Sequence, residues 1–92
     1  MKNLLDILER ERKICNKIEE HESRIRFYEE RIKSIFDIEG NDLCRAAIKD
    51  IEDFNLIIEE LEYKRADASL ELEICRAEIR WYFKELFKEN ES

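Results

Sequence analysis

Proline is absent from this 92-residue chain, and glycine occurs once, as Gly40. Without breakers along its length, and with 45% charged and 43% hydrophobic residues in regular alternation, the chain reads as long helix and not as a disordered tail. Basic residues are outnumbered: 17 Lys and Arg against 24 Asp and Glu give a formal charge of −7. That balance argues against direct nucleic-acid binding, where phosphate neutralisation supplies the affinity. No apolar run approaches the roughly 18 residues that span a bilayer, and MKNLLDILERERK lacks the apolar core of a signal peptide. The expectation is a soluble cytoplasmic protein with no membrane contact, in the host cytoplasm if it is virus-encoded.

Chemistry-bearing groupings are equally scarce. The single histidine, His21, and the three cysteines, Cys15, Cys44 and Cys75, are dispersed, with no CxxC, no HxxxH and no Glu three residues before His21. There is no Gly-rich phosphate loop and no Ser-His-Asp order. An odd number of cysteines on a helical seam suggests reduced, buried thiols in a cytosolic protein. These absences point to a protein without enzymatic activity, metal or cofactor, and His21 reads as a structural residue on the seam.

What is present is a heptad pattern. Leu4, Glu11, Ile18, Ile25 and Ile32 occupy one core position, and Ile7, Ile14, His21, Tyr28 and Ile35 the other. The pattern stops at EGND, where Gly40 can end a helix and Asn41 or Asp42 can cap the next. It resumes through Cys44, Ala47, Ile51, Phe54, Ile58, Leu61, Arg65, Ala68, Leu72, Cys75, Ile79, Tyr82 and Leu86. The spacing therefore predicts an all-α, single-domain antiparallel two-helix hairpin over residues 1–92, with helices at 3–38 and 42–89 around a turn at 39–42. In that register Tyr28 faces Ile51, Ile7 faces Leu72 and Leu4 faces Cys75. Glu11 and Arg65 come within reach of each other as a structural ion pair.

Folded this way, the second helix outruns the first. Ile79, Trp81, Tyr82, Phe83, Leu86 and Phe87 are left beyond its end, although each gains about 1.5 to 3 kcal/mol from full burial. A second stripe, Leu56, Tyr63, Leu70, Ile74, Ala77 and Trp81, lies roughly opposite the seam. Both features predict a homo-oligomer, a coiled-coil-like four-helix bundle or larger, with the second helix at its centre. Arg10, Lys17, Arg24 and Arg31, seven apart, flank the seam. They are expected to face Glu71, Lys64, Ile57 and Asp50, which leaves Lys17 and Arg24 for an acidic partner or a small anionic ligand.

The functional expectation is a small acidic regulator or inhibitor that binds a protein target. The alternatives are an oligomer that sequesters a small anionic ligand between hairpins, or a purely structural coiled-coil module. Small size, high charge and scarce enzymatic equipment also suit a viral or mobile-element accessory protein.

Overall fold

A computed structural model describes residues 3–91, with side chains through residue 88; Met1, Lys2 and Ser92, the ends of the expected domain, lie outside the described residues. Two helices, α1 (Leu4–Glu39) and α2 (Arg45–Glu91), pack antiparallel into a rod of 73 × 18 × 16 Å. Each boundary has a local cause. Asn3 caps α1, its Oδ1 accepting the Asp6 N–H at 2.9 Å, and the Asp6 carboxylate complements the helix dipole in the first turn. At the far end Gly40 takes φ 65°, a left-handed backbone that suits glycine, and donates its N–H to the Phe36 carbonyl at 2.8 Å.

The next cap differs from expectation. Neither Asn41 nor Asp42 starts α2; Cys44 does, its Sγ accepting the Ala47 N–H at 3.4 Å. The Cys44 N–H in turn donates to Glu39 Oε2 at 3.1 Å, tying the last residue of α1 to the cap of α2. The connection therefore runs through residues 40–44, and α2 begins at Arg45 instead of 42.

That longer connection changes the register. Cys75 Sγ donates to the Ile7 carbonyl at 3.4 Å, and the Tyr28 and Phe54 rings lie 5.6 Å apart. Ile7 thus lies level with Cys75, with Leu72 packed against the same cluster, and Tyr28 lies level with Phe54, three residues further along α2 than the spacing predicts in both cases. The seam keeps its members between Ala47 and Tyr82, whereas Cys44, which precedes α2, and Leu86 are exposed. Every buried hydrophobic residue, namely Ile7, Ile14, Ile25, Ala47, Ile58, Leu61, Ala68 and Cys75, lies on the two stripes read from the spacing.

Toward the open end, Ile7 and Ile14 pack with Ala68 and Cys75, each of which is 1% exposed. Large side chains there meet small ones, so the helices approach closely. Nearer the middle, Ile25 packs with Ile58 and Leu61, flanked by Tyr28 and Ile32. Because the shift draws α2 along α1, Ile79 and Tyr82 join the first cluster, and among the described residues the stretch without a hairpin partner begins near Phe83 instead of Ile79.

Two substitutions test this core by chemical denaturation. Leu61→Ala should lower hairpin stability by about 2 to 5 kcal/mol, through lost burial plus a residual cavity. Ala68→Leu should cost about 1 to 3 kcal/mol, because Ala68 is 1% exposed and packed in one cluster with Ile7, Ile14 and Cys75.

Candidate functional site

With α1 covering one side of α2, the opposite side of α2 meets nothing in the hairpin. Leu56, Tyr63, Leu70, Ile74 and Trp81 stand there between 56% and 67% exposed. Phe83, Leu86 and Phe87 continue the apolar surface past the end of α1. Of the ten residues expected at an interface, Ile79 and Tyr82 are half-buried, packed against the cluster of Ile7, Ile14, Ala68 and Cys75. The other eight are exposed. The spacing did not single out Leu5, Leu8, Phe27, Phe36 and Ile38 on α1, which are exposed as well. Leu5 and Leu8 lie three apart, off the seam, which was the available signal.

The charges pair differently from the sequence expectation, as the register requires. Arg10 binds Glu78 at 2.7 Å, one helical heptad beyond the expected Glu71, although Glu71 lines the same shallow hollow together with Ile14 and Ile74. Hydrogen bonds to Cys75 and then Glu78 raise the pKa of the Arg10 guanidinium further above its ordinary value. Glu11 binds Arg76 at 3.2 Å and not Arg65; among the described residues Arg65, half-buried, forms no ion pair. These pairs are partly solvent-exposed, so screening by water limits what they add to stability and their main effect is to orient the two helices.

The remaining members of the basic row do not act together. Lys17 shares a hollow with Lys64, as expected, but Asp67 and Glu71 line it too. Arg24 is exposed. Arg31 lies over the rings of Phe27 and Phe54, 5.7 and 5.9 Å from their centroids, a pair of cation–π contacts in place of the expected Asp50.

His21 lines the Lys17 hollow, yet both of its ring nitrogens are buried and without a hydrogen-bond partner among the described residues. Cys75 is buried, Cys15 half-buried and Cys44 exposed, all three as free thiols. Among the described residues no three His, Cys, Asp or Glu side chains converge as metal ligands would, and no helix is long and apolar enough to cross a membrane.

Buried nitrogens without partners forfeit their hydration. His21→Leu should therefore raise stability by about 1 kcal/mol, read as a higher denaturation midpoint with an unchanged slope. A lower midpoint would mean that the imidazole has a partner in solution. No protein-family model, curated protein or solved structure matches the chain.

Proposed function

We propose that the chain is a non-enzymatic, self-associating helical hairpin that works as a small acidic regulator or inhibitor through protein–protein contacts. The observation that carries this reading is the uncovered apolar face of α2, which runs from Leu56 to Trp81 and on to Phe87. A helix apolar on two sides is stable when both are covered, and α1 covers one. Self-association covers the other and leaves the acidic outer surfaces of the hairpins for a basic or mixed partner surface.

The reading in which Arg10, Lys17, Arg24 and Arg31 frame a small anionic ligand has less support. Arg10 is occupied by Glu78, Arg31 by two aromatic rings, and Lys17 has carboxylates beside it. A purely structural module shares the self-association but would bind nothing else.

Light scattering on the purified chain should give a mass above that of one chain. The combined Trp81→Glu and Phe83→Glu variant should fall to the mass of a single helical chain, because both residues are exposed in the hairpin and belong to the apolar surface assigned to self-association. Equal monomeric masses for the two proteins would remove the reading.

A further inference from the structure

On the outer face of α2, Leu70, Ile74, Ala77 and Trp81 recur at intervals of four, three and four, a short coiled-coil seam of their own. A shallow hollow beside it is lined by Leu70, Glu73, Ile74, Arg76, Ala77 and Arg80. We propose that this seam is covered by the same seam of a second copy running antiparallel, with the two-fold axis passing between Ile74 and Ala77. The proposal rests on the self-association read above and adds the partner's orientation and register. The helices then lie in the order α1, α2, α2 of the second copy, α1 of the second copy.

Size and charge select this register. Ile74 falls opposite Ala77 of the second copy, large against small, and Trp81 falls opposite Leu70. The ends of the seam are polar but complementary, since Lys84 falls opposite Asp67. Along one flank Glu73 lies beside Arg80 of the second copy, and two-fold symmetry repeats the pair. Along the other flank, Glu85 meets Lys64. Glu71 and Glu78 approach each other there, and Arg10, held on Glu78 at 2.7 Å in a hollow that includes Glu71 and Ile74, stands between the carboxylates.

The neighbouring registers lack this match. A shift of one heptad in one direction sets Glu73 against Glu73 across the axis, and in the other direction Arg80 against Arg80. Parallel in-register pairing sets Asp67 on Asp67 and Lys84 on Lys84. Like charges held opposite one another at an interface disfavour each of these arrangements.

Analytical ultracentrifugation of the full chain tests the assignment. Glu73 and Arg80 are both exposed in the hairpin, so circular dichroism should stay at the wild-type helix content in every variant. E73R and R80E should each weaken self-association by about tenfold, since each replaces two attractions by two repulsions. The combined E73R/R80E chain should regain wild-type affinity, and an equimolar mixture of the two single variants should form a mixed dimer. If the wild type associates but R80E leaves its affinity unchanged, or the combined variant stays dissociated, this register is wrong while self-association stands. A monomeric wild type would overturn the self-association itself.

Discussion

A two-helix hairpin has one internal interface, and every other property of this protein follows from that limit. Each helix can turn one stripe toward its partner, and all hydrophobic residues outside the stripe face outward. For α1 the stripe takes up Ile7, Ile14 and Ile25 with Ile18, Tyr28 and Ile32 packed beside them, while its exposed Leu5, Leu8, Phe27, Phe36 and Ile38 are scattered. For α2 it takes up Ala47, Ile58, Leu61, Ala68 and Cys75, and a second ordered stripe is left uncovered. A chain this short also buries a modest share of its surface, so covering that stripe contributes to stability as well as to function.

The seam itself is adjusted by its exceptions. Small residues at Ala68 and Cys75 let α2 approach Ile7 and Ile14 closely, and the Cys75 thiol satisfies an extra lone pair on the Ile7 carbonyl. Charged residues near the open end are drawn into cross-helix pairs, Arg10 with Glu78 and Glu11 with Arg76. Toward the middle, where Phe27, Tyr28 and Phe54 cluster, Arg31 stacks on rings instead of meeting a carboxylate. The same basic row thus has different partners along its length. This is why the row reads as several local contacts and not as one anion site.

Much of the candidate site was legible in residue order alone. Leu56, Tyr63, Leu70, Ile74 and Trp81 were assigned outward by their spacing and are exposed, because the angle between two positions on one helix follows from 3.6 residues per turn. Ile79 and Tyr82 were assigned to the same surface on a different ground, the length of α2 left beyond α1. That length depends on how the helices are aligned, and in the observed alignment both residues pack partly against the Ile7 cluster. Arg76 and Glu78 were missed as partners of Glu11 and Arg10 for the same reason.

The sequence by itself determined the two helices, the break at Gly40 and the seam between its two ends, since these rest on local backbone preference and on periodicity within one helix; Cys44 and Leu86, at the ends, are exposed. Only the tertiary structure decided which seam residue faces which. A slide of three or four residues returns seam positions to seam positions, so apolar spacing scarcely separates one alignment from the next. The five residues from Gly40 to Cys44, the thiol cap on α2 and the fit of Ala68 and Cys75 against Ile14 and Ile7 choose between them. Those are distances across the chain, which residue order does not contain.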